Sequence, residues 1–497
     1  MQALISNMAR PLSAVALAAL TAALLAACSS TPIGPNYQLP ADAVAAQPAA
    51  SLPFAGAASA STSADAAAAH PYTPAPLPAH WWRLYNDATL DTLVAQALAH
   101  NTDLRQAAAN LERVQAMETE VAGAQKPSIN VNGGPSFGHS SGLSVLKPGY
   151  EPPDAFHYSV AGSVSYQVDL FGQLQRASEA AHDTTLATAA ALDLARVSVA
   201  ASTARAYAEI CSAGHRLESA HQSVQLQQRA VEVTERLQQA GRTGTLDLPR
   251  ARSQLQQLQA AVPPLQAQRQ SALIRLATLT GSAPQAFSTD AINCTTPPQV
   301  AGAIPVGDGA ALLRRRPDLR QAEREAAAAT ARIGVAMADR YPKVTLGLTA
   351  SSAGLGSGFA KRDTLAWSLG PLISWTIPNT GVVDARIAQN EASTRMALAK
   401  FDGTVLAALR ETETALSGYA HELDRKAALQ ASRDEARIVA EQARRMYAGG
   451  KVGYLESLDA ERSLATSEAA LAASEAQLAD DQVQLFLALG GGWEPTP

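Results

Sequence analysis

The chain has 497 residues, a formal net charge of -5 and an aromatic content of only 5%. The weakly acidic balance, without any basic run, argues against nucleic acid as a partner. A chain dominated by Ala and Leu with few aromatic residues favours long, closely approaching helices over a thick globular core.

The N-terminus has the features of a secretory signal. Arg10 precedes an apolar run from Leu12 to Leu25, and the small residues of "LAAC" end at Cys28, as at a cleavage site. An ordinary signal peptide with a cysteine there by chance is the alternative. Residues 1–27 are predicted to be removed, and residues 28–80, rich in Ala, Pro and Ser without periodicity, are predicted to form a mobile tether.

The rest of the chain is an internal duplication. The pentapeptide "DLRQA" occurs at Asp103–Ala107 and again at Asp318–Ala322, and each copy is followed by a proline and a β-rich run. Further along, the halves align at an offset of 209 residues, which pairs Gly241 with Gly450. Such self-similarity indicates a tandem repeat. The predicted organisation is a first repeat at 81–294, a second repeat at 295–492 and a tail at 493–497.

Each repeat contains two segments with strand periodicity. In "SVAGSVSYQVDL", Val160, Val164 and Tyr166 alternate with polar residues, which gives one apolar and one polar face. Strands are predicted near 127–138, 156–171, 342–353 and 365–377, each close to the length that a tilted membrane strand needs. Pro371 interrupts the last strand. A soluble antiparallel hairpin in each half explains the same alternation. After the signal, the sequence contains no apolar stretch long enough for a membrane-spanning helix.

Long helices are predicted between and after these strands. The segment from Gly172 to Gly241 contains no proline, and its ~70 residues would extend about 100 Å as a helix. After Gly450 and Gly453, leucines recur at multiples of seven, which is typical of a coiled-coil seam: Leu464, Leu471, Leu478 and Leu485. The first repeat keeps this register at Leu255, Val262 and Leu276, but Pro263 and Pro264 predict a kink or break there.

No constellation of residues supports an enzyme. The letters "GHSSG" at 138–142 match a nucleophile elbow but fall in a hairpin loop, and "GLGSG" at 354–358 lacks the GK[ST] of a phosphate-binding loop. The nine histidines show no metal-ligand spacing. The sequence therefore predicts no catalytic residue, no cofactor and no metal.

Apart from Cys28, the chain contains two cysteines, Cys211 and Cys294. In an oxidising compartment two remaining cysteines can form one disulfide. Both can equally be buried and free, so the sequence leaves the two possibilities open.

Four segments occur in a fixed order from Trp81 onwards: "WWRLYNDATLDTLVAQALAHNTDLRQA", "YQVDLFGQLQRA", "WSLGPLISW" and "MYAGGKVGYLESLDAERSL". With the duplication, they resemble the TolC/OprM-like outer-membrane efflux family. The cysteine that ends "LAAC" resembles the lipobox of bacterial lipoproteins, which implies the lipid-anchored NodT-type branch with Cys28 as the acylated residue. Ser29, rather than Asp, follows it, which implies sorting to the outer membrane.

The resemblance implies a mostly α protein with membrane β structure. Three chains would complete one twelve-stranded outer-membrane β-barrel, continued by a long periplasmic barrel of helical coiled coils. It implies a passive exit duct for drugs or other toxic small molecules, with a periplasmic adaptor protein and an inner-membrane RND-type pump as partners. A duct for type I protein secretion or for metal efflux is the alternative. A periplasmic coiled-coil scaffold would explain the helices alone, and a secreted enzyme would explain none of these features.

The resemblance also implies a constriction at the helix tips, near Gly241 and Gly244 in the first repeat and near Gly450 and Gly453 in the second. The residues that fall where the family places its constriction and the ties between neighbouring helices are Tyr447, Leu455, Glu456, Asp459 and Arg462. Asp247 is the equivalent of Glu456 in the first repeat. From the residues alone, Asp459 and Arg462 are also explained as an exposed ion pair worth only about 0.2 to 0.5 kcal/mol.

The sequence departs from the family pattern at two places. Val452 stands where some members have a basic linking residue, so that tie is predicted to be absent. The segment "TIPNTGVV" at 376–383 replaces a usual Phe-Asp-Gly-Gly turn.

Overall fold

The computed structural model describes residues 32–59, 70–141, 148–286, 289–359, 361–377 and 380–491. The predicted signal peptide, Cys28 and the tail at 493–497 lie outside these ranges. The described residues fall into two compact units. The sheet unit comprises 32–38, 112–188 and 322–400, and the tip unit comprises 39–111, 189–321 and 401–491.

Most of the described chain is helical, as the fold prediction requires. The helices are α1 (Ala55–Ser59), α2 (Ala88–His100), α3 (Thr102–Gly123), α4 (Gln173–Gln239), α5 (Asp247–Ala260), α6 (Val262–Leu279), α7 (Thr289–Ile292), α8 (Gly309–Arg315), α9 (Pro317–Ala338), α10 (Thr380–Ala448) and α11 (Tyr454–Ala488). The strands are β1 (Tyr72–Thr73), β2 (Ser128–Gly138), β3 (Ala155–Val168), β4 (Ile304–Pro305), β5 (Lys343–Leu355) and β6 (Leu365–Ser374). Among the helices in the described ranges, none has a stretch both long and apolar enough to cross a membrane.

Two helices are unusually long. Helix α4 has 67 residues and α10 has 69, because neither segment contains an internal proline and both are rich in good helix formers. Each is followed by a glycine with a left-handed backbone, Gly241 (φ 66°) and Gly450 (φ 68°), a conformation that glycine adopts without a steric penalty. The break expected at Pro263 is present, since α5 ends at Ala260 and α6 begins at Val262 with proline in its first turn.

The repeated pentapeptide lies at the start of two equivalent helices. Helices α3 and α9 each contain 22 residues and each precedes a long strand, β2 or β5. In the first copy, the Asn101 side chain accepts hydrogen bonds from the backbone N–H groups of Asp103 (2.8 Å) and Leu104 (3.2 Å). Such a cap satisfies donors that have no partner within the helix.

The four long strands form one antiparallel sheet in the order β2-β3-β5-β6. Strand β3 of the first repeat pairs with β5 of the second, from His157 opposite Leu355 to Val168 opposite Val344. Each half does form an antiparallel hairpin, β2–β3 and β5–β6, and the pairing of β3 with β5 joins the two hairpins into one sheet. Pro371 lies in β6, which is an edge strand of the sheet within one chain, the kind of strand to which proline in a sheet is largely confined. Strands β1 and β4 form a small parallel pair in the tip unit.

Part of the segment predicted to be a mobile tether packs on α10 within the tip unit. The backbone N–H of Val44 donates to Asp402 Oδ1 at 2.9 Å. The N–H groups of Ala55 and Gly56 donate to the Glu413 carboxylate at 2.8 and 2.7 Å. The amino-acid composition of this segment could not predict the packing. The segment is held through its backbone N–H groups, which nearly every residue type supplies, and the carboxylates that accept from them lie far away in the sequence.

Candidate functional site

The sheet exposes large apolar side chains in rows that cross all four strands. Directly paired residues lie on the same face, and one such row runs Ile129–Val164–Leu348–Leu369. Ile129 is 74% exposed, and strand β6 is exposed along its whole length. An apolar surface of this extent indicates an environment other than water.

The opposite face of the same sheet is polar. The adjacent row runs Asn130–Ser163–Thr349–Ser368, and the hydroxyl oxygens of Thr349 and Ser368 lie 2.7 Å apart. The predicted alternation is therefore confirmed across four strands. The sheet presents one apolar face and one hydrogen-bonding face, as a wall between lipid and water requires.

The tip unit contains two helical hairpins. The first tip hairpin is the turn from α4 to α5, and the second tip hairpin is the turn from α10 to α11. A buried cluster of Ala251, Tyr454 and Leu458 joins them, and Tyr447 packs against it. The rings of Tyr447 and Tyr454 lie 5.5 Å apart. Burial raises the pKa of Tyr454 to about 12, so this phenol is neutral at ordinary pH.

Three of the candidate gate residues lie exposed on the first turns of α11. Leu455 is 51% exposed, and Glu456 and Asp459 are also exposed. Arg462 shares this surface, but its Nε donates to Gln254 Oε1 on α5 at 2.8 Å. Arg462 therefore ties the second tip hairpin to the first, a contact that helical spacing within α11 could not reveal.

Asp247 has a different role from its equivalent, Glu456. Its Oδ2 accepts from the Thr243 hydroxyl at 2.5 Å and from the Gly244 N–H at 3.2 Å. Arg250 lies 3.6 Å from the same carboxylate. Asp247 thus closes the first turn. Val452 occupies the position of Thr243 in the second turn and offers no hydroxyl, which leaves Glu456 on the surface.

Each tip hairpin also contains an ion pair that the sequence analysis missed. In the first, Arg252 lies 3.4 Å from Glu235, and in the second, Arg444 lies 3.7 Å from Glu461. The two pairs are equivalent under the 209-residue offset, with the charges exchanged. A signal was available, because residues equally distant from the turn of an antiparallel helical hairpin face each other.

Burial distinguishes the two pairs. The side chains of Arg252 and Glu235 are 59% and 45% exposed, whereas those of Arg444 and Glu461 are 33% and 17% exposed. Burial raises the pKa of Glu461, and Arg444 opposes that shift. Only the second pair lies where charge reversal should be costly.

The structure joins Cys211 on α4 to Cys294 by a disulfide with an S–S distance of 2.10 Å. The glycine at 214 permits the close approach, because a Cβ there would lie 2.3 Å from the Cys294 carbonyl oxygen. In the described part of the chain, no group of three or more His, Cys, Asp or Glu side chains is arranged to hold a metal ion.

A family model described as "Outer membrane efflux protein" matches residues 93–282 and 310–491. The two matched ranges correspond to the two repeats.

Individual relatives agree with this match. The chain is 28% identical over 419 residues to the cation efflux system protein CusC of Escherichia coli O6:H1, which covers 84% of this chain and 89% of that protein. It is 28% identical over 481 residues to the toluene efflux pump outer membrane protein TtgC of Pseudomonas putida, covering 96% and 95%. Among solved structures, the outer-membrane channel OprN aligns with a TM-score of 0.84 and 33% identity, over 93% of this chain and 100% of that chain.

Proposed function

The chain belongs to the outer membrane efflux protein family, and we propose from this premise that three copies form the passive exit duct of a tripartite efflux pump. As an outer-membrane efflux protein it carries material outwards across the outer membrane. The trimeric assembly, the lipid anchor on Cys28, the periplasmic adaptor and the RND-type inner-membrane pump are the proposed parts.

The observation that carries the proposal is the four-stranded sheet with an apolar face, a polar face and two open edges, β2 and β6. In lipid an open edge leaves backbone N–H and C=O groups without partners, which costs several kcal/mol for each group. Three copies supply twelve strands, and pairing β2 of each chain with β6 of the next removes every edge. The polar row at Asn130 then lines the water-filled interior.

The cargo is proposed to be drugs or other toxic small molecules. The names of two relatives differ in this respect, one referring to cations and the other to toluene. A passive duct supplies no energy, so we assign the choice of cargo and the driving force to the pump and its adaptor. Covalent crosslinking of the adaptor to the tip hairpins, followed by mass spectrometry, would identify these partners.

Cysteine crosslinking tests the closure of the barrel. Asn130→Cys on β2 is combined in turn with Ser368→Cys, Gly370→Cys or Leu372→Cys on β6, and oxidised outer membranes are run on a denaturing gel. We expect a covalent ladder that ends at three chains. Ser163→Cys, on an interior strand, replaces Asn130→Cys in the control and should give no ladder.

Only intrachain or no crosslinks, in protein that fractionates with the outer membrane, would overturn the trimeric closure. A functional assay completes the test. Cells that lack their own duct should accumulate less of a fluorescent efflux substrate when this chain and its pump are expressed together than with the pump alone.

A further inference from the structure

Arg176, in the first turn of α4, is a buried cation surrounded by the N-terminal segment of the same chain. Its side chain is only 3% exposed. The guanidinium donates to the backbone carbonyl oxygens of Ile33 (3.1 Å) and Gly34 (3.1 Å) and to Asn36 Oδ1 (2.7 Å). A longer contact of 3.5 Å reaches the carbonyl of Pro32. One arginine thus holds the segment Pro32–Asn36, which is called the N-terminal strap below.

The cleft that holds the N-terminal strap depends on glycine on both sides. A Cβ on Gly172 would lie 2.4 Å from the Pro32 side chain, and a Cβ on Gly334 would lie 2.6 Å from the Ile33 carbonyl oxygen. Gly34 in the strap has φ 100°, and a Cβ there would lie 2.5 Å from Gly334 Cα. These distances are shorter than nonbonded atoms accept, so any larger residue would push the strap out.

A further backbone bond fixes the strap beside the sheet. The N–H of Ile33 donates to the carbonyl oxygen of Phe171 at 3.1 Å. Phe171 lies between the end of β3 at Val168 and the start of α4 at Gln173. The strap is therefore attached where strand gives way to helix within the sheet unit.

Arg176 is incompletely paired without the strap. Among the described residues, Glu179 is its one carboxylate partner, at 2.7 Å; Glu179 engages Nη1 and leaves the donors on Nε and Nη2 directed at strap oxygens. A buried guanidinium whose hydrogen bonds are not made is strongly unfavourable. The cleft is therefore suited to an occupant that offers several carbonyl oxygens at once.

We propose a receptor for the N-terminal strap, formed by Gly172, Arg176 and Gly334. By holding the strap, this receptor fixes the acyl anchor of the chain at the strand-to-helix junction. This inference rests on the proposed outer-membrane function. Acylation is expected at Cys28, four residues before Pro32, and four residues span at most about 14 Å, so holding the strap limits how far the lipid attachment point can lie from the junction. Arg176 is a positioning residue, because it acts on the membrane anchor through the strap.

Hydrogen exchange of the full, acylated protein in lipid nanodiscs tests the receptor. Arg176→Ala should speed exchange at the Ile33 amide by about tenfold or more, and Arg176→Lys should have an intermediate effect, because a single ammonium cannot reach several acceptors. Lys400→Ala is the control. It breaks the pair with Glu325 (2.6 Å) in the same unit and should leave exchange at Ile33 unchanged.

Gly34→Ala keeps the test valid if Arg176→Ala fails to fold, because Gly34→Ala changes a residue of the N-terminal strap and none of the helices. It should release the strap to a similar extent. Unchanged exchange at Ile33 in Arg176→Ala or in Gly34→Ala would overturn the receptor.

A second readout separates positioning of the anchor from plain support of the fold. The fraction of chain recovered as outer-membrane trimer is measured for Arg176→Ala with Cys28 intact and with Cys28→Ala. A positioning role predicts a loss only in the acylated chain. Equal losses in both backgrounds would show that Arg176 merely supports the junction. Current steps from the same wild-type trimers in planar bilayers report the duct function independently.

Discussion

The first tip hairpin and the second tip hairpin begin with equivalent glycine turns, at Gly241 and Gly450, yet different side chains complete them. The first is closed by a carboxylate that accepts from Thr243 and Gly244. The second has no side-chain cap at Gly453 and keeps its carboxylates on the surface. The two turns therefore share a backbone conformation but not a side-chain cap: Asp247 closes the first turn, and its equivalent, Glu456, is exposed in the second.

The ion pairs of the two tip hairpins also lie at equivalent positions but are formed by different residues. The first pair, Glu235 with Arg252, and the second, Arg444 with Glu461, keep the contact and exchange the signs. Coulomb attraction is unaffected by that exchange, so the equivalent positions hold an attractive pair in both hairpins. The surroundings then differ, because only the second pair is largely buried.

Removing the disulfide should have the largest effect on stability, since the bridge belongs to the first repeat alone. Replacing Cys211 and Cys294 by alanine opens a loop of 83 residues and should lower the free energy of unfolding of the tip unit by about 2 to 4 kcal/mol. Native-state hydrogen exchange of the amides near Cys211 measures the loss. A change below about 0.5 kcal/mol would show that the packing of Gly214 against Cys294 holds the segment without the bridge.

Charge reversal should separate the two ion pairs. Arg444→Glu places a second carboxylate beside the largely buried Glu461 and should destabilise the second tip hairpin by about 1 to 2 kcal/mol. The double variant Arg444→Glu with Glu461→Arg should recover most of that loss. Glu235→Arg, the matched change beside the exposed Arg252, should cost about 0.5 kcal/mol or less. Equal costs in both hairpins, measured by hydrogen exchange, would contradict the difference in burial.

Removal of the two equivalent carboxylates at the turns, Asp247 and Glu456, should have different effects on local stability. Asp247→Ala removes the acceptor for Thr243 and Gly244 and should cost about 1 kcal/mol of local stability. Glu456→Ala, the equivalent change in the second turn, should leave hydrogen exchange nearly unchanged because none of the described donors of that turn bonds to Glu456. A larger loss in Glu456→Ala than in Asp247→Ala would show that the second turn is closed by its acid after all.

A change of pH is expected to have the smallest effect on the stability of the second tip hairpin. Burial raises the pKa of Glu461 above its ordinary value of 4.5, so the ionised form is the less favourable one in the folded hairpin. Its contribution is therefore most favourable below the unfolded pKa and is lost as pH rises through the folded pKa. Hydrogen exchange of the second tip hairpin should become faster over that interval in the wild type and lose this dependence in Glu461→Gln. Glu235→Gln is the control, and a dependence that persists in Glu461→Gln would assign it to another group.

Much of the architecture was predictable from the sequence. The absence of proline from 173–239 and the glycine that follows it fix α4, and period-two alternation locates the strands. The pairing of β3 with β5 was not predictable from either repeat alone, because it joins residues of different repeats. Backbone donors gave no signal for the packing of Val44 on Asp402.

The candidate gate was only partly predictable. Helical spacing correctly groups Leu455 and Asp459 on one exposed surface of α11. It also favoured a local partner for Arg462, whereas the structure shows Gln254 of the other tip hairpin in that role. Spacing along one helix carries no information about which neighbouring helix packs against it.

The gate assignment itself is still a proposal, and unitary conductance tests it most directly. Purified trimers are inserted into planar bilayers, and the wild type is compared with the double variant Asp459→Ala with Arg462→Ala. Arg250→Ala with Ser253→Ala, at the equivalent positions of the first tip hairpin, is the control. We predict a larger unitary conductance for the double variant, a smaller preference for cations when Asp459 alone is replaced, and little change in the control. Unchanged conductance and selectivity in the double variant, with trimers intact, would contradict the account and place the constriction elsewhere.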